Sequence, residues 1–265
     1  MRRWQFWLGV GISLVFLYLA LRGLHLGEMW QALQGAHYLW ILPGVLVYFA
    51  AVWVRAWRCH YLLRPLKAIP TRQMFPIVAI GYMGNNIYPA RAGELLRAAV
   101  LKRHYEVAIS ASLATILIER VYDGVVMLGF VFLNLPELAG LTAASGFVGS
   151  VRSLALWGAL AFLGALAIFL LAAMFPARAE QVFHGLVERL VPRRFRQRLM
   201  ALGNRFLGGL QSLRSPREAV MILLTSLVIW LLETGKYWFV MHAFPFEVSF
   251  FTLMLMNGIV NLATT

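Results

Sequence analysis

Cysteine is nearly missing from this chain: Cys59 is the only one in 265 residues. That excludes an internal disulfide and every thiolate-based metal or cluster motif. The six histidines are scattered without an H-x-x-x-H or H-x-x-E-H pattern, so no zinc site, other metal or cofactor is expected. Charge is scarce as well, at 13% against about 25% in soluble domains. Acidic residues are the scarcest, 11 Asp+Glu against 24 Lys+Arg. What fills the chain instead is apolar. Hydrophobic residues make up 61%, where about 45–50% is usual, and mean hydropathy is +0.72. A soluble domain of a few hundred residues still exposes roughly a quarter of its chain surface and could not hide this much. The composition requires an integral membrane protein.

The net charge of +13 would point to nucleic acid in a soluble protein. Here the positives cluster between apolar runs, as cytoplasmic loops facing anionic headgroups do. The expected partners are therefore membrane phospholipids, anionic ones above all, and not nucleic acid. Arg2 and Arg3 precede an apolar run, 4–21, with no small-x-small cleavage site at its end. It reads as a first membrane helix rather than a secretory signal.

A spanning helix needs about 20 mostly apolar residues. The runs 4–21, 38–54, 153–175, 219–243 and 248–265 fit, and 107–135 is apolar with charges in its middle. The positive-inside rule puts the N-terminus in the cytoplasm, with 22–37 and 136–152 outside. It puts 55–72, with Arg55 and Arg58, and the arginine-rich 176–218 inside. A span at 73–90 would carry Arg97, Lys102 and Arg103 to the outside. A re-entrant hairpin near 73–103 removes that conflict: a helix over 73–84, a break at 85–93, and a return helix from Glu94. Pro89 and Gly93 suit the break, and non-helical backbone at membrane depth needs burial or a wet cavity. The expected fold is thus all-α, a polytopic bundle of about six spanning helices plus the hairpin. It forms one domain over 1–265, within which 176–218 is a basic amphipathic cytoplasmic loop. In that loop Val182, Phe183, Leu186, Val187 and Leu190, then Phe195, Leu199, Leu202, Phe206, Leu210 and Leu213, recur at helical spacing. They predict helices lying in the interface.

Charge inside a membrane costs several kcal/mol, so each such residue needs a reason. The first constellation is Asn85, Asn86, Pro89, Arg91, Gly93, Glu94 and Arg97. A guanidinium in the break could grip a lipid phosphate with two hydrogen bonds; the structural alternative is a self-contained Arg–Glu–Arg network holding the hairpin. The second is Glu119, Arg120 and Asp123, which share a helix face. They could relay protons, receive a cationic headgroup, neutralise Arg91, or form a purely structural ion cluster. No nucleophile accompanies them, so no catalytic residue is assigned. Glu233 with Lys236, and Asn257 with Asn261, are secondary polar positions. Phe75 precedes Asn86, and Phe250 precedes Asn261, by the same spacing, a weak echo of the internal repeats of transporters.

The run Gly84-Asn85-Asn86-Ile87-Tyr88-Pro89-Ala90-Arg91-Ala92-Gly93-Glu94-Leu95-Leu96-Arg97, followed by Ala114-Thr115 and Glu119-Arg120-Val121-Tyr122-Asp123, resembles the signature of the lysylphosphatidylglycerol synthase transmembrane, or flippase-like, family. The resemblance implies lipid translocation or handling in a prokaryotic plasma membrane. It makes Asn86, Pro89, Arg91, Gly93, Glu94, Arg97, Glu119, Arg120 and Asp123 the signature positions. It also implies a second Pro/Gly-rich segment beyond the Asn257–Asn261 helix, and in bifunctional members a soluble aminoacyltransferase domain. Neither is present in the sequence, so a C-terminally truncated transporter is expected rather than an aminoacyltransferase. The alternatives are a lipid-phosphate or glycosyl transferase using Glu119 or Asp123 as base, and a non-catalytic partner that recruits a lipid-modifying enzyme through 176–218.

Overall fold

The computed structural model describes residues 26–88, 92–134 and 145–264, with isolated helical positions at 7, 11, 15 and 18. Most of the expected span 4–21, and Pro89 and Arg91 of the expected break, lie outside the described residues. The described residues are mostly helical, with no strand among them. In chain order the helices are α1 (Leu26–Gln34), α2 (Ile41–Leu63), α3 (Thr71–Ile87), α4 (Gly93–Tyr105) and α5 (Ile109–Leu133). They continue with α6 (Ser145–Met174), α7 (Pro176–Leu190), α8 (Arg193–Gly209), α9 (Pro216–Met241) and α10 (Phe250–Thr264).

Among the described residues, three segments are long and apolar enough to cross a bilayer: Tyr38–Leu63, Leu156–Met174 and Pro216–Met241. The 248–265 run forms the shorter α10. The 107–135 run forms one helix, α5, whose 25 residues would reach about 37 Å at 1.5 Å per residue. Prolines start α7 and α9 at positions where the missing N–H is no loss. Ser215 caps α9 by accepting a hydrogen bond from the Glu218 backbone N–H at 3.4 Å. On the lipid side, Leu46 of α2 and Leu160 of α6 are 71% and 68% exposed. Such faces are stable only where hydrocarbon is the solvent. The protein is a helical membrane protein.

The central element is α5, buried on nearly every side. At one end Ala114, Ile118 and Tyr122 pack with Leu62, Leu210, Leu213 and Ile222. At the other, Val126, Met127 and Phe130 pack with Trp230 and Met254. A Cβ on Gly124 would overlap the Phe162 ring, so that glycine lets α6 close on α5. Helices α2 and α9 pack along their lengths, and the His37 N–H donates to the Ala243 carbonyl at 2.8 Å where they end.

The segment 73–103 forms two helices, α3 and α4, folded back on each other as a hairpin and packed against α2 and α5. Its two glycines explain the closeness. A Cβ on Gly84 would lie 2.8 Å from the Gly93 Cα, and one on Gly93 would collide with the Gly81 carbonyl. At its base Tyr105 donates to Gln73 at 3.2 Å. The break is shorter than the sequence suggests. Helix α3 continues through Ile87, so Asn85 and Asn86 sit on its last turn, and Gly93 is the first residue of α4.

Two expectations need correction. Arg55 and Arg58 are not in a cytoplasmic loop, because α2 runs through them to Leu63 and buries both, to 6% and 1% exposure. The 176–218 segment is indeed a helical pair, with Val182, Leu186, Leu199 and Leu202 exposed. Its last part, however, turns inward: Leu210 and Leu213 are buried in the core beside α5.

Candidate functional site

Among the described residues, four carboxylates and five bases meet inside the bundle, each from a helix that the packing above fixes. Arg58 of α2 is the hub. It pairs with both oxygens of Asp123, the longer contact at 3.2 Å. It also donates to the Ser226 hydroxyl at 2.7 Å and lies 3.7 Å from Glu119. Arg97 of α4 donates to Glu119 at 2.9 Å, and Arg120 of α5 pairs with Glu94 at the start of α4. The last group is Glu233 of α9, which Arg55 approaches at 2.7 Å and Lys236 also contacts.

Of the hairpin charges, Glu94 and Arg97 are among the described residues and Arg91 is not. Among the described residues, Glu94 and Arg97 pair with α5 and not with each other. Each reaches across to α5, so the hairpin is pinned to Glu119 and Arg120. Glu119 and Asp123 face inward together, as their spacing predicts, at 5% and 7% exposure. Their partners include Arg58, a residue that the positive-inside rule had assigned to a loop. Two basic residues three apart at the end of an apolar run were the available signal, since on a continued helix they share a face.

A cavity of about 330 Å³ adjoins this network. Arg55, Arg120 and Lys236 line it with Asp123 and Glu233, alongside Asn85, Asn86, Asn257 and Asn261. The secondary polar positions of α9 and α10 thus meet the end of the hairpin in one place, which sequence spacing alone does not reveal. Arg97 and Glu119 are buried in their own pair outside the cavity wall. Aromatic rings hold the cavity bases in position. The Arg55 guanidinium lies 4.8 Å from the Tyr82 ring centroid and 6.0 Å from that of Trp230. The Lys236 ammonium lies 4.4 Å from the Tyr237 centroid and 5.6 Å from that of Tyr48. On the far wall Asn261 donates to the Asn257 side chain at 2.7 Å, and Asn257 donates across to Thr234 of α9 at 3.2 Å.

The charges do not balance. Arg97 with Glu119, Arg58 with Asp123, and Arg120 with Glu94 can be matched one to one. Glu233 alone serves both Arg55 and Lys236. Among the described residues the network carries one positive charge more than its carboxylates supply, and that surplus is on the cavity wall. No group of three or more His, Cys, Asp or Glu suited to a metal occurs among the described residues.

These features define a helical membrane protein with an internal, positively biased polar cavity. Residues 6–265 match the model of the Lysylphosphatidylglycerol synthase TM region, and the chain belongs to that family. It is also 28% identical over 248 residues to a protein of Haloferax volcanii named Glycosyltransferase AglD, an alignment covering 84% of this chain and 39% of the relative. The chain therefore spans well under half of that relative's length. No solved structure matches it.

Proposed function

We propose that this protein binds the phosphate of an anionic membrane lipid in its central cavity and moves the headgroup between leaflets. The observation that carries this reading is the sharing of Glu233 by Arg55 and Lys236. A phosphate diester bears the single negative charge that would balance the cavity. In an environment of low effective dielectric that match is worth far more than in water. Lys236 acts as a point charge on the phosphate, and Arg55 can offer its remaining N–H groups. Amide groups of Asn85, Asn86, Asn257 and Asn261 complete a polar lining for the rest of the headgroup.

In this reading Arg58, Arg97, Glu119 and Asp123 are positioning residues that hold the hairpin against α5, and Glu94 with Arg120 closes the cavity beside it. The hairpin, with Gly93 as the first residue of α4, enters from the cytoplasmic side. The basic helices α7 and α8 lie on that same side, against anionic headgroups. The membrane would be the plasma membrane of a prokaryote.

The name of the Haloferax volcanii relative favours a second reading, in which the cavity belongs to a glycosyl transferase acting on a lipid phosphate. Against it, the carboxylates Glu119 and Asp123 are already engaged by guanidinium groups. Reconstituted protein given labelled lipids of several headgroups separates the two. Headgroup-selective leaflet exchange that is lost in Lys236→Gln supports translocation. No exchange, with a covalently enlarged lipid appearing when a nucleotide sugar is supplied, supports the transferase.

A further inference from the structure

The polar cavity does not end in a polar wall. Tyr237, Asn257 and Asn261 also line a second concavity, of about 430 Å³, between α9 and α10. The rest of its surface is apolar, including Val240, Phe244, Phe246, Leu253, Met256 and Val260. Phe246, Met256 and Val260 are each more than half exposed, so this groove opens sideways, toward the hydrocarbon phase. Apolar concavity alone would mean little in a membrane protein. A groove of similar size, about 410 Å³, runs between α6 and α7, lined by Ile168, Leu171, Val182 and Leu186, and shares no residue with the polar cavity. What distinguishes the α9–α10 groove is its continuity with the charged site.

The junction is built for a change of polarity. Lys236 stands on its polar side, with the Tyr237 ring 4.4 Å from its ammonium and facing both spaces. Asn257 and Asn261, one helical turn apart, are fixed to each other and to Thr234, so the amide edge is held rigidly where the apolar wall begins. A ligand that satisfies both spaces must carry an anion and a hydrocarbon chain a few bonds apart. Free phosphate or a sugar phosphate would leave the groove empty.

We propose that the α9–α10 groove seats an acyl chain of the same lipid whose phosphate occupies the cavity, so that an anionic phospholipid enters laterally from the bilayer between these two helices. This rests on the lipid-phosphate reading above and adds the route and the chain subsite to it. Electrostatics select the headgroup, and the groove selects an amphiphile over any water-soluble anion.

The test uses the whole chain in nanodiscs of phosphatidylcholine and phosphatidylglycerol, doped with phosphatidylglycerol that carries a photoactivatable diazirine within one acyl chain. Adducts are located by peptide mass spectrometry. The expected result is several-fold more adduct at Val240, Leu253 and Val260 than at Ile168 and Leu171, which report ordinary boundary lipid. Lys236→Gln should abolish the excess. Val260→Trp should abolish it too by filling the groove, while labelling at Ile168 and Leu171 persists as the sign of a folded bundle. Equal labelling of the two grooves, or an excess indifferent to both substitutions, overturns the proposal. Failure of the broader reading looks different. A Lys236-dependent excess without leaflet exchange keeps the chain subsite and discards translocation, whereas exchange with equal labelling keeps translocation and discards the subsite.

Discussion

Arg58 offers the sharpest test of the packing argument. It is 1% exposed and holds Asp123, Ser226 and Glu119 at once, tying α2 to α5 and α9. Replacing it with Met keeps much of the volume but leaves Asp123 buried without its guanidinium. Breaking a buried ion pair from one side costs about 3–5 kcal/mol, a large share of the roughly 5–15 kcal/mol that holds a domain together. At about 1.4 kcal/mol per decade, opening of the bundle should become more frequent by about two to three and a half orders of magnitude. The sole cysteine provides the readout: Cys59 is free and 1% exposed, so maleimide reaches it only when α2 separates. Each variant's labelling rate is normalised to its own rate in denaturant, because residue 58 neighbours the thiol. Removing both charges, Arg58→Met with Asp123→Leu, should recover much of the loss, so the double variant is less destabilised than the two singles sum to. Singles that add without coupling, or an Arg58→Met protein labelled no faster than wild type, would refute the reasoning.

Other outcomes follow from the same geometry. Gly93→Val should separate the hairpin helices, since even a Cβ there collides with the Gly81 carbonyl; a loss of about 1–3 kcal/mol, read as faster Cys59 labelling, is expected, and an unchanged rate would show that the helices are not held this close. Glu233→Gln leaves Arg55 and Lys236 without their shared carboxylate, so it should lower thermal stability in detergent while retaining or increasing anionic lipid binding. If both stability and binding stay at wild-type values, Glu233 is not the shared partner. A nitroxide at Leu186 or Leu199, introduced in a Cys59→Ser background, should report shallow membrane depth, because both side chains are exposed on the α7–α8 pair. Free aqueous mobility at both positions would contradict interfacial docking.

How much of this the sequence discloses depends on the kind of signal. The hairpin is legible because Asn85, Asn86, Pro89 and Gly93 interrupt an apolar stretch whose topology otherwise conflicts with Arg97 and Lys102. The inward pair Glu119 and Asp123 is legible because a four-residue spacing fixes a helix face. Arg55 and Arg58 are misread because the positive-inside rule treats a basic residue after an apolar run as a loop. The rule does not know that Asp123, Glu119 and Glu233 wait opposite to neutralise them. The cavity itself is a tertiary fact. Lys236 and Asn257 look like minor polar positions until α9 and α10 bring them beside the end of α3. Likewise the buried end of the 176–218 segment follows from where α5 sits, and no periodicity in that segment announces it.

The central claim is that one unmatched positive charge on the cavity wall holds a lipid phosphate. Native mass spectrometry of the protein released from membranes with mild detergent tests it directly, by identifying the lipids that stay bound. The account predicts that the wild-type chain retains an anionic phospholipid and that Lys236→Gln, folded by the Cys59 criterion, loses it while keeping its zwitterionic boundary lipids. The same retained lipids in both proteins, or a zwitterionic lipid as the tightest species in the wild type, would contradict it.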